Sequence, residues 1–233
     1  MTFSDRHVMV TGGTGALGTA VVGGLLAAGA FCHVPYLHTG EAERFPHRDH
    51  ARVTLIANAE LADESAVARV FEGVPQLWAS IHLAGGFAGN PVAETSRREL
   101  MQQIEGNFVT CFLCSREAVK AIRGSGAGGR IVNVAARPAL EWRTGAGMAA
   151  YTASKAAVAA FSAALAEEVA KDAILVNAIA PSIMDTPANR QMMPKADYAN
   201  WPKVEEVAAT VLFLAGPENK VTRGAVVPVY GRS

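Results

Sequence analysis

Residues 8–18 read Val8-Met9-Val10-Thr11-Gly12-Gly13-Thr14-Gly15-Ala16-Leu17-Gly18 and carry the most informative pattern in the chain. The β-branched run at 8–10 predicts a strand, and helical spacing over residues 16–28 predicts a helix that stops at Gly29. Glycines at such a junction allow a tight turn and a close approach of a pyrophosphate, which the positive helix amino terminus favours. An ordinary glycine-rich turn is the alternative, but the strand–loop–helix position indicates a phosphate-binding loop. Its candidate contacts are Gly12, Thr14, Gly15, Ala16, Leu17 and Gly18.

The rest of the chain continues this alternation. Apolar, β-branched runs predict strands at residues 31–36, 53–56, 78–83, 130–134, 174–179 and 225–229. Helical spacing predicts helices at residues 64–71, 100–122, 151–171 and 204–214. We therefore expect an α/β fold, a single-domain, Rossmann-like, doubly wound parallel sheet of about seven strands with helices on both faces. Residues 1–135 would form the dinucleotide-binding half of this domain, and residues 136–233 the catalytic and substrate half.

Composition excludes several classes of protein. Half of the 233 residues are hydrophobic, which argues against disorder. Lys plus Arg equals Asp plus Glu, 21 each, so no net charge would recruit nucleic acid or an anionic membrane, and we expect a small-molecule substrate. We expect no signal peptide, because no basic segment precedes a long apolar run at the amino terminus, and no membrane span, because no apolar stretch reaches about 18 residues. Three cysteines, an odd and low number, favour a reducing cytoplasm.

The second informative stretch is Tyr151-Thr152-Ala153-Ser154-Lys155, at the start of a predicted helix. Tyr and Lys four residues apart lie on one helix face, about 5–6 Å apart at Cβ. A neighbouring ammonium and a positively charged nicotinamide would both lower the pKa of the phenol. Such a tyrosine could protonate a carbonyl oxygen as hydride arrives, or deprotonate an alcohol in reverse.

Together the two stretches resemble the short-chain dehydrogenase/reductase superfamily, and the resemblance extends over essentially the whole chain. The loop is similar to the family's Thr-Gly-x-x-x-Gly-x-Gly, with Ala16 at the middle glycine, and the helix to its Tyr-x-Ala-Ser-Lys-x-Ala. The resemblance implies an NAD(P)-dependent oxidoreductase. In it, Tyr151 would transfer the proton, Lys155 would hold the ribose and lower the tyrosine pKa, and Asn107 would support a relay water.

Further family landmarks imply the remaining cofactor contacts. After the third strand, near the adenine, they are Glu60 and Leu61. At the end of the fourth strand they are Ala84, Gly85 and Gly86. Beside the carboxamide of the nicotinamide they are Pro181, Ile183 and Thr186. At the end of the second strand the family uses an acidic residue for the ribose of NAD or a basic one for the phosphate of NADP. Tyr36 and His38 stand at this position and are further candidate cofactor contacts. No carboxylate is placed there to repel a phosphate, so we favour NADP over NAD.

One departure from the family concerns the substrate. Ala135 and Ala136 stand where the family has two serines, the second of which holds the substrate carbonyl. Loss of one such donor typically costs a few kcal/mol, so either the substrate needs less help or Thr144, another group or a water supplies it. The dihydropteridine reductase branch lacks this serine and carries Gly-Ala-Lys-x-Ala-Leu, similar to residues 135–140 here. We therefore identify a resemblance to that branch, with Phe87 where its animal members carry tryptophan.

Other features receive structural interpretations. Cys111-x-x-Cys114 lies in an apolar helix and His47-x-x-His50 in a polar segment, so we expect no metal or redox site. Residues 184–201 would fold partly over the substrate, or simply pack as a long connection. The helices at 100–122 and 151–171 are apolar on more than one face, which favours a homodimer or homotetramer.

Three functional hypotheses follow. The leading one is a reductase that transfers hydride to a carbonyl or conjugated imine, with Tyr151 as proton donor. A quinonoid dihydropteridine reductase would explain Ala136 directly, because that substrate is highly reactive. A redox sensor that holds the dinucleotide without turnover is the third, and the presence of Tyr151, Lys155 and Asn107 argues against it.

Overall fold

The structure is a computed structural model that describes residues 2–233. Its strands are β1 (His7–Thr11), β2 (Phe31–Pro35), β3 (Val53–Ile56), β4 (Leu77–His82), β5 (Gly129–Val134), β6 (Ile174–Pro181) and β7 (Val226–Val229). Its helices are α1 (Ala16–Ala27), α2 (Thr39–Arg44), α3 (Glu64–Phe71), α4 (Arg97–Gln103), α5 (Thr110–Ser125), α6 (Arg137–Leu140), α7 (Ala149–Glu168), α8 (Pro187–Met192) and α9 (Val204–Ala215). The seven predicted strands are confirmed, each within two residues of its expected bounds.

All seven strands belong to one parallel sheet. Their order is β3-β2-β1-β4-β5-β6-β7, as expected for a doubly wound Rossmann-like fold. The order reverses between β1 and β4, so the loops that follow these two strands leave in opposite directions. In open α/β sheets this reversal opens a crevice at the carboxyl ends of the strands, where ligands bind.

Helices cover both faces of the sheet, because successive strand side chains point to opposite sides. In β1, Val8 and Val10 join the cluster that contains α1 and α9. Met9, between them, joins the cluster that contains α3, α5 and α7. The predicted helices on both faces are therefore confirmed, and the two cores hold the carboxyl ends of the strands in a fixed arrangement.

The helix predicted over residues 100–122 is interrupted. Ser96 and Glu99 form a capping box that begins α4, and α5 ends at Ser125. Between α4 and α5, residues Ile104–Val109 form a π-helical turn. The helix predicted from Tyr151 begins two residues earlier, at Ala149, which places Tyr151 in the first turn of α7. Three short helices, α2, α6 and α8, are absent from the sequence prediction.

Candidate active site

The loop after β1 is packed too tightly for side chains at two of its glycines. Gly12 has φ +65°, and a Cβ on it would lie 2.6 Å from the Ala84 backbone nitrogen. A Cβ on Gly18 would lie 2.1 Å from the Gly12 carbonyl oxygen, which brings α1 close against the loop. The loop therefore requires glycine where it passes the loop of β4 and where α1 begins to pack.

The amino terminus of α1 is available to an anion. Gly15 caps the helix without a side chain, and the first turn carries no acidic residue. The first N–H groups of α1 are thus open to an external acceptor, and the helix dipole favours a negative one. Ala16 is exposed at the first helical position, so its methyl group does not obstruct the packing of the loop.

The Asn107 side chain links the loop that follows β4, here called the β4 loop, to helix α7. Its Oδ1 accepts the Gly86 N–H at 3.0 Å, and its Nδ2 donates to the Gly86 carbonyl at 3.0 Å and to Ser154 Oγ at 3.1 Å. Ser154 Oγ in turn donates to the Tyr151 carbonyl at 2.7 Å. Asn107 lies in the π-helical turn, a feature that frequently marks functional sites. Its side-chain amide is thus engaged with the protein, and the relay role implied by the family remains a prediction.

Lys155 lies one turn after Tyr151 on the same face of α7. Its Nζ donates to the Val134 carbonyl, at the end of β5, over 2.9 Å. A Cβ on Gly85 would lie 3.3 Å from this Nζ, so the ammonium reaches the loop of β4 as well. Burial lowers the pKa of Lys155 to about 8, and the adjacent Cys111 thiol opposes that shift.

Tyr151 differs from the sequence expectation in its acidity. Burial raises the pKa of its phenol to about 12, whereas the Lys155 ammonium was expected to lower it. Desolvation disfavours the phenolate, and this effect exceeds any attraction to Lys155. Tyr151 is therefore fully protonated at neutral pH.

The end of β5 offers no side-chain donor beside the tyrosine. Ala136 is buried at the amino terminus of α6 and presents only a methyl group. The Thr144 hydroxyl is exposed and donates to the Glu141 carbonyl at 2.8 Å, within the turn Trp142–Gly145. The Thr144 hydroxyl is thus bonded within its own turn. Neither Ala136 nor Thr144 therefore provides a hydroxyl at the position of the serine that the family carries.

Phe87 forms an aromatic wall over Tyr151. The two rings meet edge to face, with centroids 5.0 Å apart, and Phe87 is 55% exposed. The backbone beside it is held at Gly86 by Asn107 and at Ala88, whose N–H donates to Gln103 Oε1 at 3.3 Å. A half-exposed ring on a restrained loop provides a flat apolar surface next to the phenol.

The turn after β2 contains a carboxylate that the sequence analysis missed. Tyr36 is half-buried there, and His38 is exposed at the amino terminus of α2. The Leu37 N–H donates to Glu41 Oε2 at 3.2 Å, so Glu41 folds back from α2 onto this turn. The structure thus brings one carboxylate near the end of β2, and the preference for NADP over NAD remains a prediction. The signal is hard to find in a sequence, because Glu41 lies six residues beyond the last residue of β2.

The remaining predicted site residues lie at the same edge of the sheet. After β3, Glu60 is exposed and accepts the Ala62 N–H, while Leu61 packs against the second core. Pro181 ends β6, and Ile183 is exposed shortly after it. Thr186 Oγ1 accepts the Asn189 N–H and caps α8, so its hydroxyl proton is free to donate. Because the carboxyl ends of parallel strands lie at one edge of the sheet, the predicted site residues from Gly12 to Thr186 are expected to lie along that edge.

Both cysteines of the Cys-x-x-Cys motif lie within the packed helix α5, and the His47 ring packs edge to face on Phe45, with centroids 5.4 Å apart. Cys111 and Cys114 are buried and unpaired, and burial raises the pKa of both thiols. Within residues 2–233, no group of three or more His, Cys, Asp or Glu side chains could hold a metal ion. No helix in the same range is both long enough and apolar enough to cross a membrane.

Rossmann-like nicotinamide oxidoreductases typically have a glycine-rich loop after the first strand of a parallel sheet. Here that loop is accompanied by a Tyr–Lys pair beside the loop that follows β4. The family model described as short chain dehydrogenase matches residues 6–197. The chain therefore belongs to the short-chain dehydrogenase family and is an NAD(P)-dependent oxidoreductase.

Several known proteins are similar to it over nearly their whole length. A short-chain type dehydrogenase/reductase of Picea abies is 29% identical, with 97% of this chain and 91% of that protein covered. Galactitol 2-dehydrogenase of Rhizobium johnstonii is 30% identical, with 96% and 93% covered. The solved structure of a short-chain type dehydrogenase/reductase from Mycobacterium ulcerans superposes with a TM-score of 0.89 at 23% identity, over 99% and 90% of the two chains, which shows the shared fold.

Proposed function

We propose that the protein is a reductase that transfers hydride from NAD(P)H to a carbonyl or conjugated imine of a small molecule, with Tyr151 as the proton donor. The observation that best supports this proposal is the position of the Lys155 ammonium. It is buried, bonds to Val134 at the end of β5, reaches the Gly85 backbone, and shares a helix face with Tyr151. A lone Tyr-x-x-x-Lys pair on an exposed helix would show none of these contacts.

The loops fit a dinucleotide. The cradle at Gly12 and Gly18 admits no side chain, and the uncapped end of α1 suits a pyrophosphate. When bound, the nicotinamide supplies the hydride. Residues proposed to hold the cofactor, from pyrophosphate through adenosine to nicotinamide, are Gly12, Thr14, Gly15, Ala16, Leu17, Gly18, Tyr36, His38, Glu60, Leu61, Ala84, Gly85, Gly86, Tyr151, Lys155, Pro181, Ile183 and Thr186. The sequence-based preference for NADP over NAD remains a prediction.

We propose reduction as the direction, in which Tyr151 supplies the proton. A phenol with a pKa near 12 retains its proton until a developing oxyanion or nitrogen anion needs it. Lys155 would bind the cofactor ribose through Nζ, and its ammonium group would return a proton to the tyrosine through a water. Asn107 would act as a positioning residue for the β4 loop and for α7, and the relay water would complete the path.

The substrate we propose is one that requires little help from a side-chain hydroxyl. Ala136 supplies no donor, and Phe87 offers a flat aromatic surface beside the phenol. Both features favour a planar, conjugated acceptor over a simple ketone. The second candidate, a quinonoid dihydropteridine reductase, is favoured by the same two observations. A redox sensor without turnover remains the alternative of a different class.

The first experiment is a titration of the purified protein with NADH and NADPH, followed by cofactor oxidation with quinonoid dihydropterin, ketones and quinones. Fast pterin turnover would support the dihydropteridine reductase branch. Turnover of ketones or quinones with pterin inert would support a general carbonyl reductase. Tight cofactor binding with no turnover, or unchanged turnover in Tyr151→Phe, would contradict the proposed mechanism.

We also propose a homodimer or homotetramer formed through α5 and α7. Phe108, Phe112 and Phe161 form an aromatic cluster with centroids 5.4–6.4 Å apart, and Phe112 is 42% exposed. Light scattering of the wild type should show an oligomer, and Phe112→Asp should shift it toward the monomer. A monomeric wild type would contradict this. Two other expectations also remain predictions: that the single domain has a dinucleotide-binding half and a catalytic half that meet near residue 135, and that the protein is cytoplasmic.

A further inference from the structure

The β4 loop lies along the helix that begins with α4 and continues through the π-helical turn. Three side chains of this helix, spaced four residues apart, bond to loop residues that are spaced two apart. The bonds are Asn90 Nδ2 to Glu99 Oε1 at 3.1 Å, the Ala88 N–H to Gln103 Oε1 at 3.3 Å and the Gly86 N–H to Asn107 Oδ1 at 3.0 Å. The loop and the helix therefore run side by side in opposite directions.

The two spacings match because they correspond to nearly the same length. Four residues of an α-helix rise about 6 Å, and two residues of extended chain advance about 6.6 Å. Four residues also make slightly more than one helical turn, so a third side chain in a regular helix would drift away from the loop. The π-helical turn at Ile104–Val109 lies in the second step. Because this wider turn takes more residues, it brings Asn107 back toward the line of Glu99 and Gln103.

Phe87 lies between two of these bonds. Its ring meets the Tyr151 ring edge to face, with centroids 5.0 Å apart. A Cβ on Gly89 would lie 3.1 Å from Phe87 Cζ and 3.6 Å from Met148 Cβ, so positions 87 and 89 both face the start of α7. Alternate residues of an extended chain share a face, which agrees with the spacing of the bonds. Phe87 is 55% exposed, so its ring depends on the loop backbone for its position.

Gln103 supplies the bond on the carboxyl side of this ring. It is buried, and its side chain makes this one hydrogen bond within residues 2–233. Asn107, by contrast, also bonds to the Gly86 carbonyl and to Ser154. A cavity of about 10 Å³, which holds at most one water, separates Gln103 from the loop and the start of α7, so these parts are closely packed. Removal of the Gln103 oxygen would therefore release the loop at Ala88 and leave the contacts of Asn107 in place.

We propose that Gln103 is a positioning residue for Phe87, because its bond to the Ala88 N–H keeps the aromatic ring over Tyr151. The inference rests on the proposed function, in which Tyr151 is the proton donor. The ring excludes water from one side of the phenol, and desolvation disfavours the phenolate. Without the bond, the loop would be held only at Gly86 and Asn90, and the ring would leave the phenol for part of the time.

The test separates the hydrogen bond from the space that the side chain fills. Gln103→Met has a similar volume but no amide oxygen. Gln102→Met is the matched control, because Gln102 is the exposed neighbour in the same helix. Both variants are compared with Phe87→Ala and with a double variant that combines Gln103→Met and Phe87→Ala.

Two readouts are used, and neither requires a substrate or a cofactor. Hydrogen exchange of the peptide that contains residues 85–91 measures whether the β4 loop is held. Nitration of Tyr151 by tetranitromethane near pH 8, located by mass spectrometry, measures whether the ring covers the phenol. Nitration proceeds through the phenolate, so its rate reports both the access of the reagent and the acidity of Tyr151. Tyr198 serves as an internal reference in the same samples.

We expect faster exchange of the loop in Gln103→Met and faster nitration of Tyr151 in Gln103→Met and Phe87→Ala. The limit is about a hundredfold, reached if the pKa of the phenol falls from about 12 to its ordinary value near 10. The double variant should match Phe87→Ala alone, because Gln103 acts through the ring. Gln102→Met should match the wild type in both readouts.

Three results would overturn the role of Gln103 and leave the proposed reductase intact. They are equal nitration of Tyr151 in Gln103→Met and the wild type, an additive effect in the double variant, and a rise at Tyr198 as large as that at Tyr151, which would indicate general loosening. Failure of the proposed function is recognised separately, by unchanged turnover in Tyr151→Phe.

Discussion

Replacement of Asn107 by alanine should destabilise the protein well beyond the average substitution. The side chain is 2% exposed and makes three hydrogen bonds, two to the Gly86 backbone and one to Ser154, at 3.0–3.1 Å. Each such bond contributes about 1 kcal/mol net, and the Gly86 groups would be left without these partners. We therefore expect Asn107→Ala to lower the free energy of unfolding by about 2–4 kcal/mol.

Thermal and urea denaturation would measure this loss. In a chain of this size, 1 kcal/mol corresponds to about 2–4 °C, so the melting temperature should fall by about 4–16 °C. Asn90→Ala is the control, because Asn90 is exposed and its amide makes one bond, to Glu99 at 3.1 Å. That variant should remain within about 0.5 kcal/mol of the wild type. If both variants melt together, Asn107 does not fasten the β4 loop to α7 as described.

Three other predictions concern activity. Tyr151→Phe should lower kcat by about a hundredfold or more, with the dissociation constant of the cofactor nearly unchanged, because only the proton donor is lost; a parallel loss of cofactor binding would contradict this. Ala136→Ser should raise kcat/KM for simple ketones by about tenfold or more relative to a conjugated acceptor, since it restores one donor; equal effects on both substrate classes would be inconsistent with the proposed substrate class. The affinity for the reduced cofactor should fall as pH rises through about 8, where Lys155 loses its charge, and Lys155→Met should abolish that dependence.

The strands and the Tyr–Lys pair could be predicted from the sequence because their signals are local. Short β-branched runs bounded by glycine or proline locate the strands, and a spacing of four residues determines the shared helix face. The π-helical turn at Ile104–Val109 has no such signal, since Gly106 and Asn107 weaken a helix there without specifying a π turn. α2, with six residues, is too short to show periodicity, and Glu41 was missed with it.

The acidity of Tyr151 could not be predicted for a different reason. Its sequence neighbour Lys155 favours a lowered pKa, but the pKa depends on how the sheet, α7 and Phe87 exclude water from the phenol. That environment is built from residues far apart in the chain. Likewise, the sequence shows that Ala136 replaces a serine, but only the fold shows that Thr144 is turned toward Glu141.

The π-helical turn gives the helix that carries Asn107 one residue more than an α-helix of the same span would hold. Deletion of a single residue, such as Gly106, would therefore leave a regular and continuous helix. Because the wide turn absorbs its extra residue, α4 and α5 would keep nearly the same rotation relative to one another after such a deletion. The backbone between them would change from π to α geometry, and the side chains inside the turn, that of Asn107 among them, would point in new directions. The flanking helices should therefore tolerate the deletion, whereas the contacts of Asn107 with Gly86 and Ser154 should be lost.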